Sequence, residues 1–358
     1  MNSDSSQNPY LSIVVFSRND DHGGNYYERF KAGINGIILQ AERHHLRSEL
    51  ILVEWNPPPD RTLFKDTFSW PKHSSFCGVR VIMVPASIHA RYNFSDKIPI
   101  HMTAAFNVGI RRARGGFILS TTPDILFSNE VIEFLASEQL DKNAMYGIDR
   151  HDVRRDVALL PTLEQQLAYC QQNIIVVNRV GTCYFGSREA PVFNKHGCGD
   201  FTILSRERWH LLRGFPETDI VSLYADSILS YMAYLSGARE IVLREPMYIY
   251  HIDHDARRAM QKRKFLGSSK TAGLRFIKPR RLAEMLVYAG AKIFPSKNML
   301  YIMGVTHLSE AQYQCIVLDM ISGKRPYIFN DENWGLGQES LEEFVISRAD
   351  WDKGNERN

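Results

Sequence analysis

The chain has 358 residues, 44% of them hydrophobic, which is enough to fill the core of one large domain or two modest ones. Its formal net charge of +3 is too small to indicate nucleic-acid binding by itself. No apolar run approaches the ~20 residues that cross a bilayer, and the polar start MNSDSSQNPY lacks the pattern of a signal peptide. These features favour a soluble, cytoplasmic globular protein.

The cysteines argue against a disulfide framework and against a zinc knuckle. Their number is odd, they are scattered, and no two form a CxxC pair. We therefore expect reduced thiols in structural positions. The five are Cys77, Cys170, Cys183, Cys198 and Cys315.

Strands alternate with helices over the first 140 residues. LSIVVFS, ELILVEW and VRVIMVP are short apolar runs that end in turn-forming residues, which is typical of buried strands. The spacing of apolar residues predicts one helix in YYERFKAGINGIILQAERHH and a second in HMTAAFNVGIRRARGG, stopped by Gly115 and Gly116. FILST is then a fourth strand, and SNEVIEFLASEQL a further helix with Ser128 placed to cap it. This alternation predicts a mostly parallel sheet covered by helices on both faces.

The second half of the chain is less regular. TLEQQLAYCQQN predicts a helix and IIVVNRVGTCYF a β-rich stretch. FTILS follows as a strand, RERWHLLRGF and LYADSILSYMAYLSG as helices, and EIVLREPMYIYHIDH as a pair of strands that ends in histidines. The tail after about residue 301 is expected to be a separate subregion, to which the sequence assigns no role.

One segment is strongly basic. Residues 256–282, ARRAMQKRKFLGSSKTAGLRFIKPRRL, carry ten Lys or Arg and no Asp or Glu. Such a run is most often a solvated segment. The functional alternatives are a loop that closes over phosphates and peripheral contact with an anionic membrane surface. Nucleic acid is the least favoured partner, because the run lacks interleaved aromatic residues on which bases could stack.

Several signatures of nucleotide and hydrolase sites are missing. GCGDFT and GLGQES have two glycines but not the third of a dinucleotide fingerprint, and no GxxxxGK[ST] is present. HExxH and GxSxG are also absent. Hydride transfer, P-loop chemistry, metalloprotease action and the usual esterase mechanism therefore lose most of their support.

Acids and histidines stand at the ends of the predicted elements. Glu54 and Asp124 each follow a strand, and the carboxyl ends of parallel strands meet at the edge where ligands bind. A carboxylate there can hold Mg²⁺ or Mn²⁺, which brings substrate phosphates with it. Asp226 opens a helix, where it could serve as a general base. Each has a structural alternative, since Asp124 could cap a turn and Asp226 could stabilise its helix end.

Taken in order, the segments resemble nucleotide-sugar glycosyltransferases of the GT-A fold, particularly the family 2 type, over roughly residues 10–255. LSIVVFSRNDD looks like the opening strand and nucleotide-contacting loop of that family, and ELILVEWNPPPDR like its second strand. AAFNVGIRRARGGFILSTTPD, the most specific piece, is similar to the run that leads into the acidic DxD motif. HGCGDFTILSRERWHLLRGFPE and YADSILSYMAYLSGA are similar to the acceptor-side segment, in which G-F-x-E precedes an E-D pair.

The resemblance implies a domain organisation. A Rossmann-like GT-A domain would span residues 1–255, with a nucleotide-binding half at about 10–125 and an acceptor half at about 126–255. A basic loop or lid at 256–300 and a C-terminal extension at 301–358 would follow.

The resemblance also implies roles for single residues. Asp124 matches the last acid of DxD and would bind Mn²⁺ or Mg²⁺, with His251 as a further ligand. Asp226 matches the second residue of the E-D pair, the base of inverting members. Thr122 and Ala225 depart from the pattern, because they stand where the first acids of DxD and of E-D would be. The residues expected around the nucleoside or donor sugar are Phe16, Ser17, Asn19, Glu54, Asn107 and Arg111.

The activity implied by the resemblance is metal-dependent transfer of a sugar from a UDP- or GDP-sugar to a hydroxyl of a glycan or lipid-linked acceptor, as in polysaccharide biosynthesis. One alternative is a catalytically silent GT-A scaffold that binds a glycan or a partner. Another is a nucleotidyltransferase, although SRNDDHGGNYY lacks the lysine expected in the loop of such an enzyme after its first strand.

Overall fold

The computed structural model describes residues 8–71, 74–178, 191, 193, 199–218, 224–254, 300–302 and 305–349. The strands of these residues are β1 (Leu11–Ser17), β2 (Ser48–Trp55), β3 (Cys77–Val84), β4 (Phe117–Ser120), β5 (Ile125–Phe127), β6 (Ala144–Ile148), β7 (Arg150–Val153), β8 (Ile174–Asn178), β9 (Thr202–Ser205), β10 (Arg239–Leu243), β11 (Ile249–Ile252), β12 (Leu300–Ile302), β13 (Val305–His307) and β14 (Glu342–Ser347).

The helices are α1 (Tyr26–Arg43), α2 (Phe64–Thr67), α3 (Ala86–His89), α4 (Met102–Arg112), α5 (Asn129–Ala136), α6 (Leu163–Gln172), α7 (Arg206–Leu212), α8 (Ala225–Leu235) and α9 (Glu310–Ile321), with a 3₁₀ turn at Arg155–Leu159. None of the helices in these residues is both long enough and apolar enough to span a bilayer.

Eight strands form the central sheet, in the order β10-β6-β9-β4-β1-β2-β3-β14. β1 pairs in parallel with β2 and with β4, β2 with β3, and β6 with β10. β9 and β14 run antiparallel to their neighbours. The expected α/β fold with a mostly parallel central sheet is therefore confirmed. β2 and β4 flank β1, so the chain that leaves each of them emerges at the same edge.

Helices cover both faces of the sheet. Successive side chains of a strand point to opposite faces, and the apolar ones therefore require a covering layer on each side. Val14 and Phe16 of β1 belong to a core shared with α4, α7, α8 and α9. Ile13 and Val15 face the other way, into a core shared with α1 and α5. Three of the five cysteines, Cys77, Cys170 and Cys315, lie in the described part of the chain, where they are buried and free of disulfides.

A second sheet of four strands, in the order β5-β11-β7-β8, stands beside the first. EIVLREPMYIYHIDH was expected to form a strand pair, but its two strands lie in different sheets. β10 pairs with β6, and β11 pairs with β5 and β7, because residues 244–248 carry the chain across. Ser128 stands at the N-cap of α5 as predicted, yet its hydroxyl accepts a hydrogen bond from the Tyr248 N–H instead of from the helix.

The C-terminal segment completes the edge of the central sheet. β14 pairs antiparallel with β3, and α9 packs against α8. The turn at 332–339 is held from α4, since Arg111 donates to the carbonyls of Glu332 and Trp334, and Arg112 to those of Gly335 and Leu336. Residues 305–349 are thus packed on the same sheet as the residues expected to bind the nucleotide, which sequence patterns did not predict.

Candidate active site

The chain crosses from the central sheet to the second sheet between Ser120 and Ile125, and this crossing carries Asp124. The Thr121 N–H donates to the Val14 carbonyl, and the Thr121 hydroxyl to the Asp200 carbonyl at 2.7 Å. The Ile252 N–H donates to the Asp124 carbonyl at 3.0 Å. The backbone on both sides of Asp124 is therefore fixed by strands of two sheets.

Asp124 and His251, both buried, lie together with the partly buried His254. The ligand atoms of the three side chains are within 4.8 Å of one another. His251 Nε2 is 3.9 Å and His254 Nε2 3.8 Å from Asp124 Oδ2. Among the described residues no other trio of His, Cys, Asp or Glu converges as closely. The structure thus brings together the two predicted ligands and adds His254, which follows His251 by three residues.

Helix α1 packs directly on this crossing and contributes a cation. Arg29, 1% exposed, donates to Asp124 Oδ2 at 2.6 Å and to the His22 carbonyl at 2.8 Å. One turn further along, Gly33 approaches so closely that an added Cβ would lie 2.1 Å from the Pro123 carbonyl oxygen. Gly33 is therefore required for the contact that places Arg29 beside Asp124. Arg29 also joins Asp124 to the loop that follows β1.

The pKa shifts of Asp124 and His254 suit a cation site. Burial would raise the pKa of the Asp124 carboxyl, but the charges of His251, Arg29 and His254 outweigh it, and the net shift is downward. Burial lowers the pKa of His254 to about 4, against the opposing effect of the Asp124 charge. An ionised carboxylate and a neutral imidazole are the forms that coordinate metals.

A second layer of buried side chains surrounds the cluster. His251 Nδ1 lies 3.1 Å from Asp152 Oδ1, and Asn178 donates to Asp152 Oδ2 at 2.8 Å. The two atoms are within ion-pair distance, but the contact does not meet the criteria for a hydrogen bond. A carboxylate behind a histidine in this manner is the usual support of a metal-bound imidazole.

The fit to a divalent cation follows from this chemistry. Three buried carboxylates, Asp124, Asp152 and Asp200, face two buried guanidiniums, Arg29 and Arg150. Among the described residues of the site, the buried carboxylates therefore outnumber the buried guanidiniums by one. A cation held by Asp124 and the two histidines would compensate the additional carboxylate, so the residues present fit a metal ion.

Asp226 lies in the first turn of α8, half-buried, and faces the turn formed by Gly199 and Asp200. A Cβ added at Gly199 would lie 3.3 Å from Asp226 Oδ2. Asp200 Oδ1 in turn accepts a hydrogen bond from the Thr122 hydroxyl at 3.3 Å. The turn at 199–200 therefore lies between the predicted base and the crossing that carries Asp124.

Three of the residues predicted around the donor lie at the end of β1 and are mostly buried. Phe16 packs edge-on against Phe106 with ring centroids 4.7 Å apart. The Ser17 hydroxyl is hydrogen-bonded to that of Tyr26, and Asn19 donates to the Thr62 carbonyl at 2.7 Å. In this structure these side chains support the loop after β1 from beneath.

Glu54, also predicted near the nucleoside, is fully buried at the end of β2. Both of its carboxylate oxygens accept from the Phe64 N–H, at 3.0 and 3.1 Å. Burial raises the pKa of Glu54 to about 7, although the Phe64 hydrogen bond acts in the opposite direction. The carboxyl thus pins the start of α2 within the protein.

We expect Glu54→Gln to change how stability depends on pH. Below pH 4.5 the Glu54 carboxyl is protonated in both the folded and the unfolded protein. Between pH 4.5 and about 7 it ionises only in the unfolded state, so the free energy of unfolding of the parent falls by about 3 kcal/mol. Gln cannot ionise, but its carbonyl can still accept from Phe64. Urea unfolding of both proteins between pH 4.5 and 8 should therefore show that the free energy of unfolding of the variant increases relative to that of the parent as pH rises. Parallel pH profiles would contradict the burial argument.

Asn107 and Arg111, the remaining predicted donor contacts, hold the C-terminal half of the fold. Asn107 is fully buried, accepts from the Phe215 N–H at 2.7 Å and donates to Glu217 at 2.7 Å. The Arg111 guanidinium lies over the Trp334 ring, 5.1 Å from its centroid. Both residues therefore have partners within the protein, and their role at the donor stays a prediction. The basic run at 256–282 lies outside the described residues.

No family model and no curated protein matches the chain. Among solved structures, a 1–349 fragment of S. aureus TarS in complex with UDP-GlcNAc is similar at 15% identity and a TM-score of 0.43, covering 68% of this chain and 59% of that one. S. aureus TarS itself is similar at 14% identity and a TM-score of 0.40, over 79% of this chain and 42% of that one.

A mutant of Drosophila beta1,4-galactosyltransferase 7, in complex with manganese, UDP-Gal and xylobiose, is similar at 10% identity and a TM-score of 0.37, over 69% of this chain and 72% of that one. These structural neighbours are glycosyltransferases of the GT-A fold. This chain spans little more than half of the first neighbour. At such TM-scores the likeness carries no conclusion about activity, which is inferred from the side chains of the site.

Proposed function

We propose that the protein is a nucleotide-sugar glycosyltransferase that moves a sugar from a UDP- or GDP-sugar to a hydroxyl of a glycan acceptor. The observation that carries this proposal is the convergence of Asp124, His251 and His254 at the carboxyl edge of the central sheet, beside the loop after β1. Ligands of α/β sheets bind at this edge. Asp124 is the match to the DxD acid in the sequence resemblance.

Asp124, His251 and His254 would hold Mn²⁺ or Mg²⁺, which when bound neutralises charge on a leaving nucleoside diphosphate. The rest of the donor site is provided by the chain itself. Arg29 pairs with Asp124 and ties it to the loop at His22, so the metal ligand and the nucleotide-side loop have a fixed relation. The Arg29 and Asp124 side chains are both buried, and the exclusion of water strengthens the interaction between their charges.

Asp226 would act as the base that deprotonates the acceptor hydroxyl, which implies inversion at the anomeric carbon. Its place in the first turn of α8 favours the ionised form, because the helix dipole stabilises negative charge there. The turn at 199–200 separates it from the crossing that carries Asp124, which leaves the donor and acceptor roles on two sides of one segment.

A thermal-shift assay with UDP and with GDP, each with and without Mn²⁺, tests the donor site. We expect the melting temperature to rise with one nucleotide in the presence of Mn²⁺, and to fall back when EDTA is added. A ligand at about 100 times its Kd stabilises a protein by about 2.7 kcal/mol, an effect that is easily measured. ADP with Mn²⁺ is the matched control for unspecific binding of nucleotides.

The alternative of a catalytically silent scaffold is favoured by Thr122, which leaves the site without the first acid of DxD. It predicts no stabilisation by any nucleotide under these conditions. If stabilisation occurs but is the same in EDTA, nucleotide binding stands and the role of the metal falls. A screen of UDP- and GDP-sugars for Mn²⁺-dependent hydrolysis would then identify the donor.

A further inference from the structure

A buried arginine, Arg150 on β7, lies between two carboxylates. Its Nη1 donates to Asp200 Oδ2, and its Nε forms an ion-pair contact of 3.1 Å with Asp152 Oδ1 that lacks hydrogen-bond geometry. Arg150 is 8% exposed, Asp152 6% and Asp200 8%. We call this group, Asp152, Arg150 and Asp200, the Arg150 bridge. The sequence resemblance assigns no role to any of its three members.

One end of the bridge reaches the metal ligands. Asp152 and His251 are paired across the parallel strands β7 and β11, which sets Asp152 Oδ1 3.1 Å from His251 Nδ1. The His251 imidazole is 4% exposed, so no solvent competes for this contact. The His251 ring, whose Nε2 faces Asp124, therefore lies directly against the Asp152 carboxylate.

The other end of the bridge reaches the acceptor side. Asp200 accepts from the Thr122 hydroxyl through its side chain and from the Thr121 hydroxyl through its carbonyl. Its neighbour Gly199 lies against the Asp226 carboxylate. A displacement of Asp200 would thus move the turn that faces the predicted base.

The cost of burial indicates that the bridge has a use beyond stability. Buried ion pairs are often no more stabilising than apolar side chains of the same volume, because each charge must be removed from water. The planar guanidinium can donate in two fixed directions at once, which a lysine ammonium on a flexible stem cannot reproduce. Arg150 thus pairs at once with Asp152 on the second sheet and with Asp200 on the turn before β9.

We propose that Arg150 is a positioning residue that couples the metal ligands on the donor side to the turn beside Asp226 on the acceptor side. It touches neither the substrate nor the ion. It acts through Asp152 on His251, and through Asp200 on the turn at 199–200. The proposal rests on the proposed function, since it takes Asp124, His251 and His254 to be the ligands of a metal ion.

Mn²⁺ binding by the full chain, measured without nucleotide by the loss of the free-ion EPR signal, tests the coupling. We expect Arg150→Lys to raise the Kd for Mn²⁺ by 10- to 100-fold, the usual effect of losing a supporting residue behind a metal ligand. Asp200→Asn, on the far side of the bridge, should raise it in the same direction. The double variant should be no weaker than the weaker single variant, because both changes break one connection.

Arg244→Lys is the matched control. Arg244 also pairs with an aspartate, Asp149 at 2.7 Å, but its side chain is 57% exposed and the Kd for Mn²⁺ should stay within twofold of the parent. Circular dichroism checks that each variant is folded. If Arg150→Lys does not fold, the test rests on Asp200→Asn, whose Kd for Mn²⁺ is judged by the same twofold threshold. Kd values within twofold of the parent, or additive effects in the double variant, would overturn the coupling through Arg150 but not the metal-dependent function. A parent protein that binds no Mn²⁺ would overturn the metal-dependent function as well.

Discussion

Asp124→Asn is expected to abolish Mn²⁺ binding and to lower sugar transfer by ~10³-fold or more. A metal at the departing diphosphate supplies several kcal/mol of stabilisation in the transition state, and each 1.4 kcal/mol is about tenfold in rate. The same change removes the carboxylate that pairs with Arg29, whose side chain is only 1% exposed. Leaving a buried charge without its partner costs about 3–5 kcal/mol, so a lower melting temperature should accompany the loss of activity.

A second substitution separates the loss of stability from the loss of the metal. Arg29→Met in the Asp124→Asn background removes the charge that is left without a partner, and a side chain of similar length fills the space. We expect the double variant to regain most of the stability while Mn²⁺ binding and transfer stay absent. Circular dichroism melts and the EPR titration measure the two properties independently. Recovery of transfer in the double variant would show that stability, and not the metal ligand, limits the single variant.

Asp141→Asn is the matched control for these measurements. Asp141 also accepts from an arginine, Arg239 at 2.8 Å, but on the surface, where water screens the pair. Its replacement should leave transfer and Mn²⁺ binding unchanged, and its effect on the melting temperature should be far smaller. An equally large loss in this control would mean that any Asp–Arg pair of the chain matters as much as the one at the site.

The fold was predictable from the sequence because its signals are local. The apolar runs of β1, β2 and β3 and the helical spacing of α1 and α4 lie within single segments, and the structure has each of these elements. The division of the chain between two sheets was not predictable. It depends on the register of β11 with β5 and β7, which joins residues about a hundred or more positions apart.

The same limit applies to the site. Asp124 could be singled out because it follows a buried strand, and His251 because it ends one. Arg29 could not be identified as a site residue from the sequence. An arginine in an amphipathic helix is usually on the solvated face, and the partner of Arg29 is 95 residues away. Asp152 and Arg150 were likewise hidden in RHDV, a short strand whose alternate side chains face the metal ligands only through the pairing of β7 with β11.

The residues expected around the donor illustrate a further limit. Glu54, Asn107 and Arg111 have the polar side chains that a nucleotide site requires, at positions close to the ligand-binding edge. In the structure each also contacts a later segment, at Phe64, Phe215 and Trp334, and their role as donor contacts stays a prediction. The sequence alone does not distinguish a polar residue that contacts the ligand from one that holds the next segment in place.

Asp226→Asn should separate donor binding from transfer. Asn keeps the shape and can still accept a hydrogen bond at the helix start, but it cannot take the proton of the acceptor hydroxyl. Loss of a general base costs 10²–10⁴-fold, so we expect transfer to fall by about 10³-fold. Melting-temperature shifts with nucleotide and Mn²⁺ should remain those of the parent protein, since Asp226 is not among the residues that would hold the metal.

Glu207→Gln distinguishes a base from a charge at a helix terminus. Glu207 stands in the first turn of α7 as Asp226 does in α8, and its side chain is 79% exposed. Both substitutions remove a favourable charge from a helix N-terminus, which is worth a few tenths to 1 kcal/mol. If only Asp226→Asn loses transfer, the carboxylate acts chemically. Unchanged turnover in Asp226→Asn would instead assign proton removal to another group, and the inverting mechanism would then lose the residue from which it is inferred.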